Sequence, residues 1–300
     1  MKIDITNPIP PAGSPIAFDW PIKLGPNERL IGSGPLSRLL WRGPRDLPAI
    51  QFGDADQSIY RAEMRDFTLL CGTIDFRRAN ETCRAERVIS QDAPGDAWVI
   101  HERCSGLALR DCNAYWPGGA QYAVRSAEAL NAVLLDHCSG TGGAVGLEVS
   151  TAGNGQVVGL AARDCVFQGA ARNILLRGYV TYAQLDSVYC ETADGDANVE
   201  LRAALLAGKT RIPSVEWTGV SQLLGARTAI LQRDAVSNIC RGHVLTRNAP
   251  IVYRVRADGA EKFGAVRPVG FDRPELLVPD SALDTGPAHD VAETHGLQRT

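Results

Sequence analysis

Short apolar stretches interrupted by polar pairs recur at a nearly constant interval along the middle of this chain. When the last residue of each copy is compared, successive copies stand 45, 26, 27, 23, 27 and 28 residues apart. A fixed period of this length is typical of solenoid architectures. The first interval is longer, and the pattern predicts a loop excursion over residues 72–96 there. The copies are Met64–Phe67, Leu109–Cys112, Leu135–Cys138, Ala162–Cys165, Leu185–Val188, Ile212–Val215 and Cys240–His243.

Each copy predicts two short strands that meet at a corner. If the last residue of a copy is position zero, apolar or small residues recur at positions −5, −3, 0 and +2, as in Leu107, Leu109, Cys112 and Ala114. A period of two is the pattern of a strand with one buried face. The two residues between positions −3 and 0 are nearly always polar, Gly or Pro, as in Arg110-Asp111 and Pro213-Ser214, so they must form an outward bend.

A third strand precedes each copy, for example at Tyr122–Val124, Leu147–Val149 and Ile174–Leu176. Three short strands per coil, stacked in register, predict an all-β right-handed parallel β-helix of about eight to nine coils. A leucine-rich repeat fits less well because its LxxLxLxxN frame is absent, and a left-handed β-helix would show hexapeptides. A β-sandwich would not align like residues in four columns over seven copies.

The repeat divides the chain into three predicted parts. Residues 1–15 are rich in proline and predict an extended N-terminal arm, residues 16–255 predict the β-helix domain, and residues 256–300 predict an extended C-terminal tail. The ends of a β-helix are unpaired edges that need a cover. The arm or a partner subunit could provide it.

Composition excludes some partners. The net charge is −3 and the pI is about 6.0, so no basic footprint for nucleic acid or an anionic membrane is expected. No window approaches 18 uninterrupted apolar residues, so no membrane span is predicted.

The eight cysteines form no CxxC pair and mostly lie in apolar contexts, which predicts buried free thiols. Neither a metal site nor a cofactor is predicted.

Outward residues of the strand that precedes each copy provide the candidate site. Amides, guanidinium groups and carboxylates hydrogen-bond sugar hydroxyls, and Arg also pairs with uronate carboxylates. We expect these side chains to form one ladder up a face of the solenoid, although charges of alternating sign also suit a merely solvated face. The candidates for ligand binding are Gln51, His101, Arg125, Arg177 and Arg202, and the candidates for catalysis are Glu148 and Glu200.

Glu148 and Glu200 lie two coils apart, which places them about 9–10 Å from each other. That separation is near the upper end of the range for inverting glycosidases, in which one carboxyl group protonates the leaving oxygen and the other activates water. His101, beside Glu102, is a further candidate for proton transfer.

The run from Asn27 to Trp41, followed by Pro48–Asp54, resembles the opening coils of the pectate-lyase-like superfamily. It is most similar to phage tailspikes and polysaccharide depolymerases, and the resemblance covers residues 16–255. It implies the β-helix fold, but the superfamily includes lyases, hydrolases, epimerases and non-catalytic adhesins. The GDGVTDDT phrase and the amphipathic helix with which such spikes usually begin are not present in this sequence. That departure favours a component seated on another virion protein over a free-standing enzyme.

The resemblance therefore implies a virion spike or fibre subunit, exposed to the extracellular medium, that binds a cell-surface polysaccharide without cleaving it. A homotrimer attached to other virion proteins through its termini is expected. Two alternatives remain. One is a polysaccharide depolymerase, hydrolase or lyase, that acts through outward carboxylates. The other is a structural collar or baseplate component that binds no sugar.

Overall fold

The computed structural model describes residues 13–256, except 55, 193, 194, 196, 212, 227, 234–236, 241, 242 and 248–250, together with residues 278 and 279. Side chains are described as far as residue 231. Most of the predicted N-terminal arm and nearly all of the predicted tail lie outside the described residues, so the boundaries at 15 and 255 stay predictions. Within the described residues, no helix has the length and apolarity needed to cross a membrane.

The described chain is built from short strands. In chain order they are β1 (Ile16–Phe18), β2 (Ile22–Leu24), β3 (Arg29–Ile31), β4 (Arg38–Trp41), β5 (Ile50–Phe52), β6 (Ile59–Tyr60), β7 (Glu63–Leu70), β8 (Ile74–Phe76), β9 (Ala79–Asn80), β10 (Arg84–Gln91), β11 (Trp98–His101), β12 (Ser105–Arg110), β13 (Asn113–Tyr115), β14 (Ala120–Ser126), β15 (Ala129–Asp136), β16 (Ser139–Thr141), β17 (Val145–Thr151), β18 (Gln156–Arg163), β19 (Val166–Gln168), β20 (Arg172–Arg177), β21 (Val180–Thr181), β22 (Ala183–Asp186), β23 (Tyr189–Glu191), β24 (Ala197–Arg202), β25 (Ala204–Leu206), β26 (Lys209–Arg211), β27 (Ser214–Thr218), β28 (Val220–Leu224), β29 (Thr228–Arg233), β30 (Ser237–Cys240), β31 (His243–Arg247), β32 (Ile251–Arg256) and β33 (Val278–Pro279).

The strands form two long sheets that share one core. The first sheet has eleven strands and contains one strand per coil, from β2 through β5, β8, β11, β14, β17, β20, β24, β29 and β32 to β33. The second sheet has twenty strands and contains the two arms of each corner. Pairing between coils is parallel, as in β11–β14 and β12–β15, and only the hairpin β25–β26 is antiparallel among the described strands. This architecture confirms the predicted all-β right-handed parallel β-helix.

Inward side chains form continuous columns along the core. Leu107, Val133, Leu160 and Ala183 pair in successive coils and are fully buried or nearly so. On the first sheet, buried aromatic rings contact one another across two adjacent columns, Phe52 with Phe76 and Trp98 with Tyr122, and the series Phe52, Phe76, Trp98 and Tyr122 has ring centroids 4.7, 6.4 and 6.2 Å apart. Stacked rings at these distances add to the stabilisation that burial provides. The core is thus a set of like-on-like columns.

The corner between the two arms of the second sheet depends on a left-handed residue. Asp111, His137 and Asp164 have φ angles of 51°, 52° and 49°, and their N–H groups each donate 2.9 Å hydrogen bonds to a carbonyl of the next coil. Short polar residues such as Asp tolerate this conformation better than other non-glycine residues. The predicted outward polar bend is therefore a stacked column of positive-φ residues. Its other described members are Asp66, Arg87, Ser187 and Gly219.

The loop excursion predicted over residues 72–96 is wrong, because this segment forms a complete coil. β8 joins the first sheet, and in β10 Val88 pairs with Phe67 of the preceding coil. Ala85 and Val88 supply the expected inward residues, but Glu86 and Arg87 replace the usual corner pair. Arg87 adopts φ 52°, and its Nε lies 2.7 Å from Oδ1 of Asp66.

The register predicted for the last two copies is also wrong. Val215 pairs with Ala183, at position −5, and Trp217 pairs with Leu185, at position −3. The hairpin β25–β26 lengthens this coil before the corner, and the corner itself has one extra residue. Consequently His243 pairs with exposed Val220. His243 therefore does not occupy position zero, the inward position that the sequence predicted for it.

The prediction of buried free thiols is confirmed for six of the seven cysteines whose side chains are described, and Cys71 is the exposed exception. The six are Cys83, Cys104, Cys112, Cys138, Cys165 and Cys190. Burial disfavours the thiolate. It raises the pKa of Cys104 to about 12 and raises those of Cys83 and Cys190 as well.

We expect the corner to reject a β-branched residue. Replacing Asp164, at φ 49°, with Val should lower the free energy of unfolding by about 1–3 kcal/mol because of backbone strain. Asp164→Gly is the matched control, since glycine adopts positive φ freely. Equilibrium urea unfolding measures both. Equal stability of the Val and Gly variants would contradict this account of the corner.

Alkaline pH should destabilise the fold through its thiols. In the unfolded chain Cys104 ionises at its ordinary pKa of 9.0, whereas the folded chain keeps it protonated to about pH 12. The unfolded state therefore binds fewer protons, and stability falls as pH rises through this window by up to about 1.4 kcal/mol per unit for each such thiol. Urea unfolding against pH should give a shallower slope for Cys104→Ala and an unchanged slope for the exposed Cys71→Ala. An unchanged slope for Cys104→Ala would refute the assignment.

Candidate functional site

The candidate site lies on the outward side of the first sheet, here called the first-sheet face. Its outward residues form two files that run along the solenoid axis. The carboxylate file contains Gln51, Asp75, Val99, Ala123, Glu148, Leu175, Glu200 and Leu231 in successive coils. The arginine file contains His101, Arg125, Ser150, Arg177 and Arg202, and the backbone positions of Arg233 and Arg256 continue it.

The prediction of a single ladder is therefore wrong. Gln51, Glu148 and Glu200 belong to the carboxylate file, whereas His101, Arg125, Arg177 and Arg202 belong to the arginine file two residues further along each strand. The two-coil offset between Glu148 and Glu200 is confirmed, since both pair with Leu175. It corresponds to about 9.6 Å between their backbones.

At the N-terminal end of the face, Asp75 is a buried carboxylate between Arg77 and His101. Its side chain is only 4% exposed, its Oδ2 accepts a 2.9 Å hydrogen bond from Nε of Arg77, and its Oδ1 lies 3.0 Å from Nε2 of His101. The sequence pointed to Glu102 as the neighbour of His101, but the structure places Asp75 there. A histidine beside a carboxylate can exchange a proton with a bound ligand or donate a hydrogen bond to it.

In the middle of the face, Arg125 bridges two carboxylates. Its Nη1 lies 2.7 Å from Oδ2 of Asp96, and its Nη2 donates a 2.9 Å hydrogen bond to Oε2 of Glu148. Burial opposes the charge of Arg125, yet the hydrogen bond to Glu148 and the charge of Asp96 raise its pKa. Asp96 also accepts the N–H of Ala120 at 2.7 Å. Glu148 is thus held in place with part of its surface open to solvent.

Glu200 differs from Glu148 in its accessibility. Its side chain is 2% exposed, and its Oε2 lies 2.8 Å from Nε of Arg172. A carboxylate that is enclosed and ion-paired cannot readily approach a glycosidic oxygen or a water molecule outside the sheet. The backbone separation suits an inverting pair, but the outward, accessible Glu200 that the sequence predicted is not what the structure shows.

The remaining predicted residues are more accessible. The Gln51 side chain donates a 2.7 Å hydrogen bond to the carbonyl of Gly53 and stays partly exposed. Arg177 and Arg202 are exposed, and no carboxylate among the described residues lies within ion-pair distance of either. Across the described side chains, no cluster of three or more His, Cys, Asp or Glu residues could hold a metal ion.

Sequence reasoning missed Asp75, Arg77, Asp96 and Arg172. Asp75 and Arg77 fall in the segment that was assigned to a loop, and recognition of the copy Ala85–Val88 would have placed Ile74–Phe76 on a strand with Asp75 outward. Asp96 precedes β11 and stands outside the four apolar columns, so the repeat says nothing about its partner.

Fold and face together define a parallel β-helix protein whose first sheet combines buried carboxylates with partly exposed arginine side chains on its outer side. No known family model and no curated protein sequence matches this chain. Among solved structures it is similar to the catalytic domain of a GH87 α-1,3-glucanase in complex with nigerose, at 9% identity and a TM-score of 0.34, covering 86% of this chain and 69% of that one. It is also similar to PfbA, a surface adhesin of Streptococcus pneumoniae, at 8% identity and a TM-score of 0.34, covering 81% and 85%. Likenesses this remote say nothing about the chemistry of the face.

Removal of the partner of Glu200 should destabilise the fold. Arg172→Met removes the ion-pair partner 2.8 Å from the buried Glu200 carboxylate, and we expect a loss of about 3 kcal/mol in the free energy of unfolding, at the lower end of the usual range because Arg172 is itself one-third exposed. The double variant Arg172→Met/Glu200→Leu should recover most of the loss. Urea unfolding of both variants checks this, and a harmless single variant would mean that Glu200 does not need the pair.

Proposed function

We propose that this chain is a carbohydrate-binding β-helix protein that holds its ligand on the first-sheet face without cleaving it. The observation that supports this best is the neutralisation of the carboxylates within the face, while hydrogen-bond donors remain accessible. Asp75 faces Arg77 and His101, and Glu148 faces Arg125. The accessible groups are amide, imidazole and guanidinium groups, which suit sugar hydroxyls.

Catalysis by Glu148 and Glu200 is less well supported. An inverting hydrolase needs one protonated and one ionised carboxyl group that both reach the sugar. Glu148 accepts a hydrogen bond from Arg125, and Glu200 is nearly inaccessible beside Arg172. These contacts favour a role for Glu200 in the stability of the sheet and a role for Glu148 in the orientation of Arg125.

The biological setting follows from the resemblance of residues 27–54 to the opening coils of phage tailspikes. We propose a virion spike or fibre subunit, assembled as a homotrimer, whose ligand is a polysaccharide of a cell surface. A solenoid suits this role because successive coils place outward side chains at regular intervals along one face, where a polymeric ligand can contact several of them.

Incubation of the full chain with capsular and exopolysaccharide preparations tests the proposal. We expect retention of the protein on an immobilised polysaccharide, with no release of reducing ends and no absorbance from unsaturated uronates. Gln51→Ala and His101→Ala should weaken retention, because each removes a donor from the face, whereas Arg110→Gln on the second sheet should not. Cleavage that is abolished by Glu148→Gln would contradict the non-catalytic role, and a lack of retention by every polysaccharide would contradict binding.

A further inference from the structure

Outward residues on the second sheet place opposite charges next to each other, and Arg110 and Asp136 lie 3.7 Å apart. One file there contains Arg65, Glu86, Arg110, Asp136, Arg163 and Asp186, paired coil by coil. The sign of the charge alternates at every step. Because opposite charges on directly paired strands stabilise a sheet and like charges destabilise it, this alternating file needs no external partner.

The arginine file of the first sheet has the opposite character. Through its described side chains it contains His101, Arg125, Arg177 and Arg202 with no acidic residue, and Arg177 pairs directly with Arg202. Arg125 is compensated from the side by Asp96 and Glu148. Arg177 and Arg202 are exposed, and no described carboxylate lies within ion-pair distance of them. Two neighbouring guanidinium groups repel each other where, as among the described side chains, no carboxylate lies close enough to pair with them.

We propose that the arginine file binds an acidic polysaccharide, a polymer of uronate type, whose chain runs parallel to the solenoid axis. This inference rests on the proposed function and specifies the ligand class. Arg177 and Arg202 lie on adjacent coils with backbones about 4.8 Å apart, and Ser150 separates them from Arg125. A guanidinium group matches a carboxylate with two parallel hydrogen bonds. A chain with one carboxylate per sugar would relieve the repulsion between Arg177 and Arg202 at the moment it binds.

A polysaccharide fits this face better than a nucleic acid does. Duplex DNA has one charge per about 1.7 Å of axis, whereas Arg177 and Arg202 lie on coils about 4.8 Å apart and would pair with only a fraction of so dense a charge. Single strands bind through aromatic platforms that stack on bases. The aromatic side chains of the first-sheet strands, as far as side chains are described, point into the core; they are Phe52, Phe76, Trp98 and Tyr122.

The test compares two double variants that lose the same charge. Arg177→Gln/Arg202→Gln removes the uncompensated pair, and Arg110→Gln/Arg163→Gln removes two arginines of the alternating file. Calorimetric titration of the full chain with size-defined alginate oligosaccharides should show a loss of affinity of about tenfold or more per arginine for the first variant. The second variant should bind like the unchanged protein. Affinity should also fall with salt, with a smaller salt dependence in the first variant.

Neutral dextran of equal length and a single-stranded oligonucleotide separate the outcomes. The inference is supported if the protein binds alginate more tightly than it binds dextran or the oligonucleotide. If dextran and alginate bind equally well, and if Arg177→Gln/Arg202→Gln changes neither affinity, the inference of an acidic ligand is wrong. The proposed function would then still stand. Tighter binding of the oligonucleotide overturns it in favour of nucleic acid. No binding of any saccharide overturns both proposals. An equal loss in both double variants would show that only net charge matters and would also overturn the inference.

Discussion

The structure depends on one constraint: every coil must bend at the same residue, so that each strand pairs in register with its equivalent in the next coil. A residue in the left-handed conformation makes that bend, and its N–H group donates to the coil that follows. Once the register is set, position in the coil decides everything else. Inward positions stack into columns that form the core, and outward positions stack into files that face solvent.

The same constraint governs the electrostatics of the surface. A charged residue in an outward file lies beside the residues at the same position in the neighbouring coils, about 4.8 Å away. Repulsion between like charges there can be relieved by opposite charges in the same file, by a carboxylate from a neighbouring file or loop, or by a bound ligand. The structure shows two of these solutions. The file that contains Arg110, Asp136 and Arg163 alternates in sign, and Arg125 receives carboxylates from the side. Arg177 and Arg202 have neither kind of partner among the described residues, which is why this part of the first-sheet face is the strongest candidate for binding an anion.

The fold could be predicted from the sequence because its inward columns repeat in the sequence itself. Residues such as Leu107, Val133 and Leu160 stand at equal intervals and need no tertiary information to be aligned. The predictions failed where the repeat changes its form. Glu86 and Arg87 replace the usual corner pair, which concealed a whole coil, and the hairpin β25–β26 shifted the register around Val215. The site was predicted only in part, since outward residues follow no apolar pattern. Their division into two files required the actual register, and the enclosure of Glu200 depends on its contact with Arg172.

The central claim is that the arginine file of the first-sheet face is a lengthwise binding surface for an acidic polysaccharide. A crystal structure of the chain with a uronate oligosaccharide tests it most directly. The account predicts a sugar chain that lies along the solenoid axis, with successive carboxylates against Arg177 and Arg202. An oligosaccharide seated on the second sheet, or lying across the coils without contact to these two arginines, would contradict it.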